Sequence, residues 1–215
     1  MKRYVLILFA FFIPHTSYGQ QTPPELYSKL ESLYYQTISA HLDGGKLCTG
    51  RSSEVVEIQN EFSEALLDAT STTGELVLIF AVTANSLSNV IRLNEDGALR
   101  TGDNGSILHA AARFADPPIL EYLVSVGFGI EEHGGASGPA LLVAVTQNRK
   151  DNVAWLIENG ADVNATDTSG GTVLRRSLVC RDQELVNYLL MQGAIPNEKT
   201  YQAIEKLGLS LEAYE

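Results

Sequence analysis

Ile119-Leu-Glu-Tyr-Leu-Val-Ser-Val-Gly127, Val153-Ala-Trp-Leu-Ile-Glu-Asn-Gly160 and Leu185-Val-Asn-Tyr-Leu-Leu-Met-Gln-Gly193 set one apolar frame before a glycine three times, and the glycines stand 33 residues apart. A fixed period of this length marks a chain built by stacking one small unit, each burying its apolar face on the next. Upstream, Leu108-His109-Ala110-Ala111-Ala112, Leu141-Leu142-Val143-Ala144-Val145 and Leu174-Arg175-Arg176-Ser177-Leu178 repeat in the same step of 33. Such a stack offers an extended surface, so binding is the first functional expectation.

The motifs inside the period sharpen this. Asp167-Thr-Ser-Gly-Gly-Thr-Val-Leu174, Gly160-Ala-Asp-Val-Asn-Ala165 and Ser106-Ile-Leu-His-Ala-Ala111 resemble the ankyrin repeat, whose pattern runs D-x-x-G-x-T-P-L-H-x-A-A and L-L-x-x-G-A-D-V-N-A. The resemblance implies an all-α solenoid of helix-turn-helix units. A weaker unit precedes these, because Leu78-Ile-Phe-Ala-Val82 and Gly97-Ala98 match the next repeat at an offset of 30. The missing residues fall around Arg100, which predicts a shortened finger there. The expected repeats are 76–100, 101–133, 134–166 and 167–199, together spanning 76–199, with a capping half-repeat over 200–215 in which Tyr201, Ile204 and Leu207 share a helical face.

Residues 20–75 read as an N-terminal helical hairpin cap. Thr22-Pro23-Pro24-Glu25 is a helix start, followed by the stripe Leu26, Leu30, Leu33, Tyr34, Ile38 and Leu42. Ser52 or Ser53 would cap a second helix, with Val55, Ile58, Phe62, Ala65 and Leu66 on one side and Glu54, Glu57, Glu61 and Glu64 on another. Terminal units of a stack must cover its open apolar end, which this pair is suited to do.

Residues 1–19 have the form of a signal peptide: Lys2 and Arg3, a ten-residue apolar run from Tyr4 to Ile13, and small residues at Ser17 and Gly19 before a cut at Gln20. Ten apolar residues fall short of the roughly 20 a membrane span needs. The expectation is therefore an exported protein, in a bacterial periplasm or secreted, with no membrane span in the mature chain. Removing the segment would take the net charge from −11 to −13. That acidity disfavours nucleic acid and anionic membranes as partners and suits a basic protein.

No catalytic motif stands out: G-x-S-x-G, H-E-x-x-H and the glycine-rich phosphate loops are absent from the sequence. His41 and Asp43 would be the polar groups of a hidden site in the cap. His109 occupies the histidine of the family pattern, which the resemblance makes structural. No metal or other cofactor is expected. Cys48 and Cys180 leave two readings open. Export favours a disulfide, whereas a regular stack would separate the hairpin loop from the last inner helix by several units of about 10 Å each, beyond the ~7 Å a bridge spans.

The resemblance implies a non-enzymatic protein-binding module, monomeric alone, acting through a concave surface of inner helices and fingers. The candidate contact residues follow the paired alanines of each repeat: Arg113, Phe114 and Asp116; Thr146, Gln147 and Arg149; Val179 and Arg181. Phe114 is expected exposed beside Arg113. Glu131, Glu132, Asp162 and Asp167 would form an acidic finger rim that speeds encounter with a basic partner. Immunity or protective proteins of the periplasm and a scaffold or regulatory subunit of an envelope complex are the two roles this pattern suggests.

Overall fold

The computed structural model describes residues 24–42, 52–67, 75–97, 106–134 and 137–208. Within them eleven α-helices follow one another: α1 (Pro24–Leu42), α2 (Ser53–Leu67), α3 (Glu75–Thr83), α4 (Leu87–Glu95), α5 (Ser106–Phe114), α6 (Pro117–Ser125), α7 (Ala140–Thr146), α8 (Lys150–Glu158), α9 (Val173–Ser177), α10 (Gln183–Met191) and α11 (Glu198–Leu207). No strand forms among the described residues; Thr166 and Thr172 make one isolated antiparallel bridge. The signal-peptide segment and the finger around Arg100 lie outside the described residues, as do the ends of the 20–75 and 200–215 segments.

The 33-residue period is a period of burial. Leu108, Leu141 and Leu174 on α5, α7 and α9 are at most 1% exposed, and Leu123, Leu156 and Leu189 on α6, α8 and α10 are fully buried. Helices α3, α5, α7 and α9 pack side by side as an inner row, while α4, α6 and α8 form an outer row. The small residues Ala111 and Ala144, both at 0% exposure, allow the inner helices to approach closely. Each outer helix then ends in a glycine with positive φ, 111° at Gly127, 96° at Gly160 and 91° at Gly193. A side chain there would strain the backbone, which explains why glycine marks the period.

The last repeat departs from regularity. Helix α9 is five residues long and tightens into a 3-10 turn over Leu178–Cys180. Thr172 caps its start, accepting from the Arg175 N–H at 3.2 Å. Beyond it α11 closes the stack against α9, with Ile204 buried. Tyr201, expected on the same packed face, is instead 52% exposed, because α11 covers only a single short helix and has little surface to bury against.

At the other end Ser52 caps α2, its Oγ accepting from the Val55 N–H at 3.3 Å. The four expected glutamates of α2 point outward, and Val55, Phe62, Ala65 and Leu66 point in. Phe62 meets Phe80 of α3 with ring centroids 5.7 Å apart, and Tyr34 of α1 meets the same ring at 5.2 Å. The hairpin thus covers the first repeat's open face.

Candidate protein-binding surface

The positions after the paired alanines are not the open row that the sequence suggests. Phe114 is 6% exposed and Gln147 6%, so the expected exposed aromatic beside Arg113 is corrected: its ring is buried. Arg113 is itself half-buried, with its guanidinium 5.7 Å from the Phe114 ring. The cause is the N-terminal hairpin, which extends past the first repeat. Gln59 on α2 donates to the Thr83 carbonyl at 2.7 Å and to the Phe114 carbonyl at 3.0 Å, tying together the ends of α3 and α5. Tyr34 on α1 lies close enough to Arg113 for each to act on the other's proton: burial pushes the guanidinium down and Tyr34 opposes it. Burial likewise raises the Tyr34 hydroxyl, with Tyr35 adding to the rise and Arg113 countering it.

Asp116 and Arg149 are engaged in the stack itself. Arg149 Nη2 donates to Asp116 Oδ1 at 2.8 Å and to the Ala115 carbonyl at 2.5 Å. Asp116 also accepts from Asn85 Nδ2 at 2.7 Å, while its own N–H donates to Asn85 Oδ1 at 2.8 Å. The same edge continues with Asn148 donating to Asp182 at 3.0 Å and Lys150 reaching Asp182 at 2.9 Å and Glu184 at 2.5 Å. Asn85 and Asn148 sit at the inner-to-outer turn with φ of 53° and 54°, left-handed backbone that asparagine tolerates best after glycine. These charged pairs join adjacent turns, so Asp116 and Arg149 serve cohesion before recognition.

Buried polar side chains missed by the sequence reading carry the same role inside. Asn152 on α8 donates to the Ala112 and Ala115 carbonyls of the preceding repeat at 3.1 and 2.9 Å. Asn89 on α4 reaches the Ser63 carbonyl at 3.2 Å. These two asparagines stand 63 residues apart, the sum of the 30- and 33-residue steps, a signal that was present in the spacing.

The exposed remainder is at the fingers and the last inner helix. Val179 is 51% exposed, and Arg181 is exposed with a left-handed φ of 50°. Thr146 is half-buried and donates its hydroxyl to the Leu142 carbonyl at 2.7 Å. Glu131, Glu132 and Asp162 are exposed, and Glu131 accepts from the Asp162 N–H at 3.0 Å. Asp167 does not join them: it is buried at 5% exposure. It accepts from the Ser169 and Gly171 N–H groups, each at 2.8 Å, and from the Arg176 guanidinium. Burial alone would raise this carboxyl, but the bonds from Ser169, Arg176 and Gly171 outweigh it and hold it far below the usual carboxylate range.

His109 is placed as the resemblance implied. Its Nε2 lies 2.5 Å from the Gly138 carbonyl and 3.3 Å from the Gly134 N–H. The Gly138 oxygen can only accept and the Gly134 N–H can only donate, so the tautomer of the ring decides which of the two bonds Nε2 makes. Cys180 is disulfide-bonded, which settles against separate thiols; the chain's other cysteine, Cys48, lies outside the described residues.

Stacked helical hairpins with glycine-terminated outer helices, a histidine-buttressed turn and asparagine links between units give the chain the fold of an ankyrin-repeat solenoid. Residues 108–200 match the family model for ankyrin repeats, in three copies. The chain is 39% identical over 64 residues to an ankyrin repeat protein of fowlpox virus (strain NVSL), covering 29% of this chain and 12% of that one. It is 28% identical over 138 residues to an intracellular phospholipase A2 of Caenorhabditis elegans, covering 56% of this chain and 13% of that one. The chain thus spans only a small part of these relatives, and the lipase activity in the second name belongs to that protein. No helix among the described residues is long and apolar enough to cross a membrane.

Proposed function

We propose that this chain is an exported, non-enzymatic binding protein, an immunity or protective partner of a basic protein in the periplasm. Export is supported by the charged start, apolar run and small-residue exit of residues 1–19. Binding is supported by the repeats, and the observation that carries the choice of surface is the contrast within the inner row. Arg113 and Thr146 are half-buried, while Val179, at the equivalent position of the last repeat, remains 51% exposed, with Arg181 beside it and the acids Glu131, Glu132 and Asp162 on the fingers. The partner therefore engages the finger rim and the last inner helix, the uncovered part of the concave side.

The test is capture of the partner from periplasmic extract with the tagged mature chain, followed by affinity measurement on the identified complex. Val179→Asp with Arg181→Glu should weaken binding by about tenfold or more if these side chains sit at the interface centre. Undiminished binding by that variant would move the interface elsewhere. Recovery of an envelope enzyme complex in place of a toxin would favour the scaffold role.

A further inference from the structure

We infer that the outer surface between α8 and α10 is a second docking site, built for a basic amphipathic segment of a partner protein. Helix α4 packs against α6 and α6 against α8, but α8 and α10 make slighter contact. An open groove of ≈ 680 Å³ separates them, floored by Leu185 and lined by Ala154, Asn187, Tyr188 and Met191. Met191 is 74% exposed.

Two positions of the groove, Ala154 and Met191, are apolar where the equivalent positions of other outer helices are polar. Ala154 stands where the adjacent outer helices carry Glu121 and Asn187, 33 residues before and after it. Met191 stands where they carry Glu158 and Ser125. Solvent-facing positions of an outer helix normally stay polar, so two changes to apolar that meet across one groove mark a surface meant to be covered. A methionine is suited to this, because its unbranched, polarisable side chain adapts to a partner's shape.

The rim gives the sign of the occupant. Asp151, Glu158 and Glu184 are exposed around the groove. The lysine at its edge, Lys150, is already shared between Asp182 and Glu184 at 2.9 and 2.5 Å, so the local balance is acidic. Apolar floor and acidic walls together fit a helix that presents aliphatic side chains flanked by lysine or arginine. This site is separate from the finger rim and last inner helix, and each can fail without the other.

A fluorescein-labelled helical peptide of alternating leucine and lysine pairs is the probe, titrated by anisotropy into the mature protein. A charge-matched peptide with alanine in place of leucine is its control. The leucine peptide should bind with methyl and ring shifts confined to Ala154, Tyr188 and Met191. Met191→Glu, at an exposed position, should weaken it by about tenfold or more, given the apolar area lost, and Ala154→Glu should do the same. Val179→Asp should leave it unchanged. Equal binding by Met191→Glu, or equal binding of the alanine peptide, would overturn the inference. So would a wild-type dimer in sedimentation that Met191→Glu dissolves, since a second copy would then be the occupant.

Discussion

Asp167 Oδ2 accepts from Arg176 Nε at 2.9 Å, so the carboxylate at the tip of the last finger is held by the helix that the finger leads into. With the Ser169 and Gly171 N–H groups also donating to Asp167 Oδ1, one side chain fixes the turn Asp167–Gly171 and the start of α9. A buried carboxylate with this many donors is favourable only while ionised. Its folded-state value lies far below the ordinary 3.8. The stability it supplies is therefore complete above the unfolded-state value and is lost as pH falls below it. The denaturation midpoint should hold steady from neutrality to about pH 5 and drop on further acidification. Asp167→Asn should be less stable at neutral pH and should flatten that acid limb. A variant whose acid limb matches the wild type would show that other carboxylates control it.

The stack and its limits were legible to different degrees for a physical reason. Periodicity records contacts that every unit makes with its neighbour, so Leu108, Leu141, Leu174 and the terminal glycines could be read from spacing alone. The bond to the Phe114 carbonyl comes from Gln59, 55 residues earlier and outside the period, and no repeat pattern encodes a contact made once. Asp167 was misplaced for a related reason: its charge suggested a solvated rim, but it is held by two backbone N–H groups and the Arg176 guanidinium, a convergence invisible to composition. The dual role of Asp116 and Arg149 was hidden in the same way, since their pairing crosses two turns 33 residues apart.

Core packing yields a second prediction. Ala111 is fully buried on α5, between α3 and α7. Ala111→Leu forces extra methyl groups between helices already in contact, at a cost of about 1–3 kcal/mol. The thermal midpoint should fall clearly, and an unchanged midpoint would mean that α5 presents a different face to its neighbours.

Asn152 supports a third. Its amide donates to two carbonyls at the end of α5 from full burial. Asn152→Leu replaces the amide by a larger apolar side chain and removes both bonds; the Ala115 carbonyl keeps Arg149, but the Ala112 carbonyl loses its amide donor, at about 1–3 kcal/mol. Urea unfolding should show the loss, and amide exchange should rise at the α5–α6 turn before it rises in α10. Uniform exchange across all repeats would argue that Asn152 contributes only packing.

The glycine at the end of α8 gives a fourth, in which strain and crowding can be told apart. Gly160 has a φ of 96°, and a Cβ placed there would meet no atom within 4 Å. Gly160→Val should therefore destabilise purely through backbone conformation, by about 1–2 kcal/mol. Gly134 is the opposite case: its φ is ordinary, but a Cβ would sit 2.0 Å from His109 Nδ1. Gly134→Ala should displace the ring that sits between Gly134 and Gly138, and pairing it with His109→Ala should recover part of the loss. No such rescue is available to Gly160→Val, because nothing presses on it.

The disulfide at Cys180 supplies the last prediction. Cys180 ends the 3-10 turn of the shortest inner helix, the repeat with the least regular packing of its own. A covalent bond there restrains the unfolded chain, and its removal costs roughly 2–5 kcal/mol. Cys180→Ser should lower the urea midpoint by that order, and reduced wild type should unfold at the same midpoint as the variant. The effect should be felt first in α9 to α11, with amide protection lost there while α5 to α8 keep theirs. A reduced protein that unfolds with the oxidised midpoint would mean the last repeat holds itself closed without the bond.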